Sequence, residues 1–322
     1  MTDTSKNDLV LLVDSLNLFT RHFVAHPATG INGEHVGGIV GYMYALLDLI
    51  EKYSPSTVIV VWEGGGSPRR RQLYSEYKQK RKPERLNRFY DEIPDTMENR
   101  NHQIASLVEI MKSLPILQLY IADCEADDVI GYLCKNSLRK NRKLLVSSDK
   151  DFYQLLDSKT IIYSPTWKKF VTQKEVKEKF GILPSNFCLA KSICGDASDN
   201  IGGVKGVGFK TLAKRFPVLK LEDDVTISEI INISKNTIAE GSKIKSYSQI
   251  VDSEDIIRRN WKLIHLDIMN LAPVQIDKIN HLVDTFEPIK NKIKVMRALL
   301  NQGIQTFNVD RLFLAFNRIG NE

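Results

Sequence analysis

Nine carboxylates recur at the ends of apolar segments along the first 200 residues. They are Asp14, Glu63, Glu125, Asp127, Asp128, Asp149, Asp151, Asp196 and Asp199. Acids gathered in one place repel one another unless cations hold them, and oxygen-ligated ions such as Mg²⁺ are the usual solution in proteins. The pattern therefore predicts a divalent-metal site and points to phosphate chemistry.

A glycine-rich string follows the last two acids and precedes a helix that we expect to start near Phe209. Glycines let the backbone approach a phosphate closely, and the lysines of this string add positive charge. The pattern predicts a helix–loop–helix that grips a nucleic-acid backbone without reading bases; the spacing of a P-loop is absent. The predicted contacts are Gly203, Lys205, Gly206, Gly208, Lys210, Thr211 and Lys214.

A basic segment lies between the second and third of the acids. Residues 69–88 hold nine basic side chains against two acidic ones, a net charge of +7, whereas the whole chain carries +6. A basic stripe beside an acidic metal site suits a polyanion that must be brought to cations. Arg69, Arg70 and Arg71 open this segment, and we predict that they contact nucleic acid.

The acids follow segments that have the pattern of buried strands. Short, continuously apolar runs alternate with longer helical ones, which is typical of an α/β layout with a largely parallel sheet. Predicted strands are Leu9–Val13, Thr57–Trp62, Gln118–Ala122, Lys143–Ser147 and Thr160–Tyr163. Each of the first four leads directly into acids. Because open α/β sheets build sites at the carboxyl ends of strands, one edge should collect seven of the nine carboxylates.

Helices are predicted between and after these strands. Gly38–Tyr53 carries an apolar stripe that should pack on the sheet. After about residue 183 the pattern becomes mostly helical with no further convincing sheet, so we predict two units, 1–183 and 184–322. In the second unit, Pro288–Gln302 is predicted as an amphipathic helix. Its expected apolar face consists of Ile289, Ile293, Met296 and Leu300.

Composition is that of a soluble globular protein, with 43% hydrophobic and 26% charged residues in 322. The N-terminus lacks the layout of a secretory signal, and no run approaches the roughly 20 apolar residues of a membrane span. We therefore expect a cytoplasmic monomer with no membrane partner. The four cysteines form no C-x-x-C pair, so reduced thiols are expected rather than zinc ligands.

Five motifs, in this order, resemble the 5′ nucleases. They are Leu-Val-Asp14-Ser-Leu-Asn17, Tyr77-Lys78-Gln-Lys-Arg81, Cys-Glu125-Ala-Asp127-Asp128, Ser-Ser-Asp149-Lys-Asp151-Phe and Gly-Asp196-Ala-Ser-Asp199-Asn200-Ile. That family includes flap endonucleases, the 5′-exonuclease domain of bacterial DNA polymerase I, and the bacteriophage ribonuclease H and 5′-exonucleases. The matches run from about residue 9 to residue 216, and the Glu-Ala-Asp-Asp form is most similar to the phage branch.

The resemblance implies a PIN-like fold, in which helices flank a largely parallel central sheet. It also implies a helical arch over about residues 64–103, a helix–three-turn–helix element that binds duplex DNA, and a helical C-terminal region. By position, the first metal ion would be held by Asp14, Glu125, Asp127 and Asp149. The second would be held, directly or through water, by Asp151, Asp196 and Asp199. Asp128 would support the site, and Lys78 and Arg81 would contact the scissile phosphate.

Glu63 is a departure from the family pattern. Relatives usually end the second strand with Asp, whereas this chain has Trp62-Glu63-Gly64, so the carboxylate lies one methylene further from the backbone. It would reach the metal through a shifted backbone or a water molecule.

The implied reaction is two-metal hydrolysis of phosphodiester bonds at 5′ ends of RNA or DNA on duplex DNA, including RNA primers and flaps. Two Mg²⁺ ions are expected, with Mn²⁺ as a substitute and K⁺ at the helix–three-turn–helix loop as a further candidate. A single-stranded DNA-binding protein or a sliding clamp is a candidate partner in DNA replication. For a phage-encoded chain, the compartment would be the host cytoplasm.

Three other functions would use parts of the same pattern. A haloacid-dehalogenase-type phosphatase needs a second Asp two residues after its nucleophile, but Asp14 is followed by Ser15 and Leu16. A PIN-type ribonuclease would lack the glycine string and the long helical tail. A catalytically weak flap-binding replication factor would keep the fold without turnover.

Overall fold

The computed structural model describes residues 8–79 and 97–318, and a mixed α/β fold is built around one six-stranded sheet. The strands of this sheet are β1 (Leu9–Asp14), β2 (Thr57–Trp62), β3 (Leu117–Tyr120), β4 (Arg142–Val146), β5 (Thr160–Ser164) and β6 (Lys169–Val171). Two short strands, β7 (Gly195–Asp196) and β8 (Ile201–Gly202), pair with each other elsewhere.

The strand order is β3-β2-β1-β4-β5-β6, and β1 to β5 run parallel while β6 is antiparallel to β5. Val13 of β1 lies opposite Val60 of β2 and Val146 of β4. Five of the six residues of β1 are buried, as expected for a strand covered on both faces. The predicted fold class, a largely parallel sheet flanked by helices, is confirmed.

Fifteen α-helices lie within the described residues. They are α1 (Ser15–Ala25), α2 (Gly37–Tyr53), α3 (Pro68–Leu73), α4 (Met97–Met111), α5 (Ala126–Tyr132), α6 (Gln173–Phe180), α7 (Phe187–Cys194), α8 (Phe209–Arg215), α9 (Val218–Leu221), α10 (Ile227–Ala239), α11 (Lys245–Asp252), α12 (Glu254–Ile264), α13 (Pro273–Asp284), α14 (Lys292–Asn301) and α15 (Val309–Asn317). Three 3₁₀ turns occupy Asp151–Leu155, Pro184–Asn186 and Ile268–Asn270, and a π-helical turn occupies Leu133–Ser137.

Alternate residues of the sheet feed two hydrophobic cores, because successive strand side chains point to opposite faces. Leu11 and Val13 pack in a core with residues of α1, α2, α4, α14 and α15. Val10 and Leu12 pack in a second core with residues of α5, α7 and α8. Helices from the end of the chain therefore cover the same sheet as helices from its beginning. The division into units at residues 183 and 184 stays a prediction.

The predicted apolar face of α14 was wrong. Val295 and Leu299 are buried, whereas Ile293, Met296 and Leu300 are 63%, 43% and 51% exposed. Both sets have helical spacing, so periodicity alone could not choose between them. The choice is made by α4 and α15, the helices that contact α14. In the parts of the chain that the structure describes, no helix combines the length and hydrophobicity that crossing a bilayer requires.

Candidate active site

The carboxyl ends of β1 and β4 meet at one edge of the sheet. Asp14 is the last residue of β1, and its carboxylate accepts hydrogen bonds from the Ser147 hydroxyl at 2.9 Å and from the Asn17 amide at 3.3 Å. Ser147 follows β4 and its hydroxyl accepts from the Asp149 amide at 3.0 Å. One serine therefore ties the Asp14 carboxylate to the loop that carries Asp149.

A second acidic group adjoins the first. The Asp149 carboxylate accepts a hydrogen bond from the Asp151 amide at 2.8 Å, which fixes the start of the 3₁₀ turn. One carboxylate oxygen each from Asp151, Asp196 and Asp199 lies within 4.8 Å of the others. Asp196 belongs to β7, so the turn between α7 and α8 brings two distant acids to the sheet edge.

Glu125 lies directly before α5 and is surrounded by donors. Its carboxylate contacts Lys78 Nζ at 2.8 Å, the Tyr77 hydroxyl at 3.0 Å and Arg70 at 3.2 Å. Burial opposes ionisation of Glu125, but Lys78 and Arg70 outweigh it and hold the pKa of this carboxyl below its ordinary value. Glu125 is therefore an ionised acid whose charge the chain itself balances.

Asp14 and Asp127 are different, because their pKa values are raised. Burial raises the pKa of Asp14 to about 7, and the nearby charge of Asp149 adds to the effect. Desolvation, again with Asp149, holds the pKa of Asp127 well above its ordinary value. Negative charge around Asp14, Asp127 and Asp149 is thus less well balanced than around Glu125, and this is where a bound cation would be most favourable.

Lys191 is a member of the site that the sequence analysis missed. Its ammonium group contacts the carboxylate of Asp151 and lies 2.6 Å from that of Asp196. Burial opposes its charge, but Asp151 and Asp196 raise its pKa, and Lys191 lowers the pKa of Asp196 in return. The available signal was the single charged residue of α7, a helix whose other residues are apolar apart from Ser192, five residues before Asp196.

Two segments far apart in sequence dock at this edge. The Lys78 amide donates to the Asp199 carbonyl at 3.0 Å, and the Asn200 side chain donates to the Glu76 carbonyl at 2.9 Å. Lys78 and Asn200 both have left-handed backbone angles, with φ of 58° and 59°. These contacts place Lys78 among the acids. Arg81, its predicted partner on the phosphate, lies outside the described residues.

The donor set fits hard cations. Carboxylate oxygens suit Mg²⁺ or Mn²⁺, whereas soft thiolate ligands would favour other metals. Asp151, Asp196 and Asp199 have carboxylate oxygens close enough together to hold one ion. Asp127, whose carboxylate interacts electrostatically with those of Asp149 and Asp14, belongs to a second candidate group.

Comparison with known proteins assigns the family. The model of the 5′-3′ exonuclease, N-terminal resolvase-like domain, matches residues 9–181, more than half of the chain. The chain belongs to the 5′-3′ exonuclease family. It is 32% identical over 209 residues to a 5′-3′ exonuclease of Buchnera aphidicola, a match covering 64% of this chain and 69% of the relative. It is 34% identical over 203 residues to the thermostable DNA polymerase I of Thermus filiformis, covering 63% of this chain but 23% of that longer protein.

Solved structures agree in fold. The D15 protein of bacteriophage T5, crystallised with metal ions, has a TM-score of 0.68 at 22% identity, covering 86% of this chain and 98% of that one. The catalytic core of Rad2 in complex with DNA has a TM-score of 0.54 at 14% identity, covering 98% and 93%. The predicted resemblance to 5′ nucleases is confirmed at the level of family and fold.

Arg70 corrects one of the predicted contacts with nucleic acid. In this exonuclease-family chain its side chain is only 2% exposed, and its guanidinium forms two hydrogen bonds to Asp128, at 2.6 and 2.7 Å. Two further hydrogen bonds join it to the Glu125 carboxylate at 3.2 Å and to the Leu263 carbonyl at 2.8 Å. Arg70 is thus enclosed by protein, and the prediction that it binds DNA was wrong. Arg69 and Arg71 are exposed.

Asp128 corrects one of the predicted metal ligands. Both of its carboxylate oxygens accept from Arg70, and one also accepts from the Asn270 side chain at 2.9 Å. Asp128 holds Arg70, and Arg70 also contacts Glu125, so Asp128 acts on the site through this arginine. A supporting role for Asp128 therefore stays the prediction.

Glu63 lies beside the acids but faces a backbone group. Its carboxylate accepts from the Ala126 amide, the first residue of α5, at 3.3 Å. Burial and the charge of Glu125 raise the pKa of Glu63. Its longer side chain therefore caps α5, and contact with a metal ion stays a prediction.

The predicted helix–loop–helix has the expected elements. It runs from α7 through β7, β8 and a glycine-rich turn to α8, and its lysines Lys205, Lys210 and Lys214 are exposed. Thr211 lies on α8 and is half-buried. Gly206 has a left-handed φ of 73°, and Gly208 precedes α8 with open space around it. Gly203 differs from these glycines, because a Cβ there would lie 2.2 Å from the Cys194 carbonyl.

Replacement of Gly203 by Ala should destabilise the fold. The added Cβ meets backbone atoms of Cys194 and Gly195, which cannot rotate away, so we expect a loss of about 2–3 kcal/mol in the free energy of unfolding. Gly202→Ala is the matched control, since nothing lies within 4 Å of its Cβ position. Urea unfolding measures both variants, and equal stabilities would contradict the predicted packing of this loop.

Asp14→Asn should change stability in a pH-dependent way. The wild-type carboxyl has its folded pKa raised from 3.8 to about 7. Its ionisation therefore costs stability increasingly as pH rises from about 4 to above 7. In EDTA, we expect the variant to gain stability relative to wild type, on the order of 2 kcal/mol, between pH 5 and pH 8.

Thermal melting at both pH values measures this difference, with the exposed Asp277→Asn as the control. Added Mg²⁺ at pH 8 should raise the melting temperature of the wild type more than that of the Asp14 variant. If the Asp14 variant gains no stability at pH 8 in EDTA, ionised Asp14 does not destabilise the metal-free fold.

Proposed function

We propose that this protein is a metal-dependent, structure-specific 5′-3′ nuclease that hydrolyses phosphodiester bonds at 5′ ends of RNA or DNA on duplex DNA. The observation that carries the proposal is the meeting of two acidic groups at one sheet edge. Asp14 and Asp149 come from strand ends, and Asp196 and Asp199 arrive from the turn that leads to the glycine-rich loop. One segment of chain would thus hold both a cation and the backbone of duplex DNA.

The comparisons support this assignment. Matched relatives are named 5′-3′ exonucleases, and other matches are DNA polymerase I chains. One T5 structure is described as a flap endonuclease in a pseudo-enzyme-product complex with DNA and metal ions. The proposed activities are 5′-3′ exonuclease, flap endonuclease and ribonuclease H activity, for removal of RNA primers and flaps in replication.

Divalent ions bound at the two acidic groups would lower the pKa of an attacking water and stabilise negative charge on the phosphate. We propose Mg²⁺ in both positions, with Asp14, Glu125, Asp127 and Asp149 at one and Asp151, Asp196 and Asp199 at the other. Glu125 is held in place by Lys78, Tyr77 and Arg70.

The cations of the chain itself would take complementary roles. Lys78 is partly exposed and contacts Glu125 while lying 4.0 Å from Asp199, so its ammonium group can turn to a phosphate that enters the site. A positive charge there stabilises charge that develops in the transition state. Lys191 is buried between Asp151 and Asp196 and keeps these two carboxylates oriented.

The substrate would be held outside the acidic edge. Exposed Lys205, Lys210 and Lys214 offer a positive surface to duplex phosphates, and Gly206 and Gly208 leave the backbone accessible. Arg69 and Arg71 face solvent at the start of the basic segment and would contact the strand that leads to the site.

A nuclease assay tests the proposal. The protein is incubated with a labelled 5′-flap duplex and with RNA-primed DNA, in Mg²⁺ or in EDTA. We expect cleavage in Mg²⁺ alone, and product lengths distinguish removal of single nucleotides from release of an intact flap. Cleavage that persists in EDTA, or none on either substrate, would contradict the assignment.

Variants sharpen the same assay. Asp196→Asn and Lys78→Ala should lower turnover roughly 100-fold or more, since each removes a charge close to the reacting phosphate. Asp196→Asn should leave the affinity for the flap duplex within about threefold of wild type. The substitution changes one charge, and that charge lies outside the surface formed by Lys205, Lys210 and Lys214. Lys294→Ala, at an exposed position of α14, is the control and should keep full activity. Equal loss of binding and turnover in Asp196→Asn would contradict its role at the metal.

A further inference from the structure

The turn between β5 and β6 carries an exposed tryptophan with no role in the site described above. Trp167 is 43% exposed, and the following residue, Lys168, has a left-handed φ of 50°. Because β5 runs parallel to β1 and β4, this turn emerges at the same sheet edge as the acids. An exposed tryptophan is an uncommon use of a large apolar side chain on a turn.

Hydrogen bonds fix this turn to the acidic edge. The Ser148 hydroxyl contacts the hydroxyl of Thr166 at 2.7 Å and accepts from its amide at 3.2 Å. It also lies 3.1 Å from the Ser164 hydroxyl. Thr166 immediately precedes Trp167, and Ser148 immediately precedes Asp149, a predicted metal ligand. The hydrogen bonds between Thr166 and Ser148 therefore hold the turn of Trp167 next to the loop that carries Asp149.

The other side of the tryptophan leads to the glycine-rich loop. Lys179, at the end of α6, places its ammonium 5.4 Å from the centre of the Trp167 ring, and Lys169 lies 5.8 Å from it. Phe180 then packs against Phe209, the first residue of α8, with ring centres 5.0 Å apart. Contacts therefore connect the turn of Trp167 to the loop before Asp149 on one side and, through Lys179 and Phe180, to α8 on the other.

The chemistry of this surface suits a nucleotide. An exposed aromatic ring stacks on a nucleobase, and the two ammonium groups that lie over this ring would move aside to the attached phosphates as the base stacks. The cavity beside Trp167, bordered by Tyr153 and Phe180, has a volume of about 40 Å³. That volume holds a water molecule but no base, so a base would stack on the indole rather than enter the protein.

We propose that Trp167 is a stacking platform for an unpaired nucleobase of the substrate, with Lys169 and Lys179 contacting the adjoining phosphates. The proposal rests on the proposed nuclease function and deepens it, because it identifies a base contact between the acidic edge and the glycine-rich loop. The contact depends on the face of a base and not on its identity, so it recognises an unstacked nucleotide near the junction of a flap substrate.

Binding without turnover tests the platform. Affinity for a 5′-flap duplex is measured in EDTA for wild type, Trp167→Ala and Trp167→Phe, with melting temperatures as a check of folding. We expect Trp167→Ala to bind about fivefold more weakly or worse, and Trp167→Phe to stay within about twofold of wild type. Tyr120→Ala, which removes an aromatic side chain 54% exposed on the opposite edge strand, is the matched control and should bind like wild type.

Abasic substrates identify the partner. Single abasic residues are placed in turn at each nucleotide around the flap junction. At one position the abasic residue should weaken wild-type binding about fivefold and leave Trp167→Ala binding unchanged, because the stacking contact is already gone. If Trp167→Ala binds the flap duplex as tightly as wild type, the platform is overturned. It is also overturned if every abasic position that weakens wild-type binding weakens Trp167→Ala binding equally.

Cleavage in Mg²⁺ is recorded in parallel for the wild type. A wild type that cuts the flap while Trp167→Ala binds normally refutes the platform alone. A wild type that binds through Trp167, with the abasic coupling described, but does not cut supports the platform and refutes the nuclease function.

Discussion

Repulsion among carboxylates is the constraint on which the rest of this structure depends. Much of it is relieved within the chain by three lysine and arginine side chains, Arg70, Lys78 and Lys191, which contact Glu125, Asp128, Asp151 and Asp196. Asp14 accepts hydrogen bonds from neutral donors, and burial, with the nearby charge of Asp149 adding to it, raises the pKa of this carboxyl. Lys78 and Arg70 lower the pKa of Glu125, and Lys191 lowers that of Asp196. Asp14, Asp127 and Asp151 keep raised pKa values, so bound cations would stabilise the site most at these three carboxylates.

Repulsion among the carboxylates also explains why helices from the second half of the chain contact the acids at the sheet edge. The Leu263 carbonyl and Asn270 help to hold Arg70 and Asp128, and α7 supplies Lys191. The backbone bond from Lys78 to Asp199 joins the basic segment to the turn before the glycine-rich loop. A substrate held by that loop, as we propose, would therefore be positioned relative to the acids through this direct contact.

Strand-end acids were predictable because hydrophobic runs locate buried parallel strands, and topology then dictates where their carboxyl ends meet. What could not be predicted depends on packing partners that are distant in sequence. Arg70 resembles its exposed neighbours Arg69 and Arg71 in sequence, and only the positions of Asp128 and Leu263 show that it is enclosed. The face of α14 was missed for the same reason, since two apolar stripes compete and α4 selects one. Lys191 was overlooked because a single charge in an apolar helix gives no indication of its partners.

A crystal structure with Mn²⁺ tests the metal centre most directly, because anomalous scattering locates each ion independently of the protein atoms. Two peaks are expected. One should be bound by oxygens of Asp14, Asp127 and Asp149, and the other should adjoin Asp151, Asp196 and Asp199, with the Lys191 ammonium displaced from at least one of its two carboxylates. Ions bound elsewhere, or no ion at the acidic edge in millimolar Mn²⁺, would contradict the claim that these carboxylates form a metal centre.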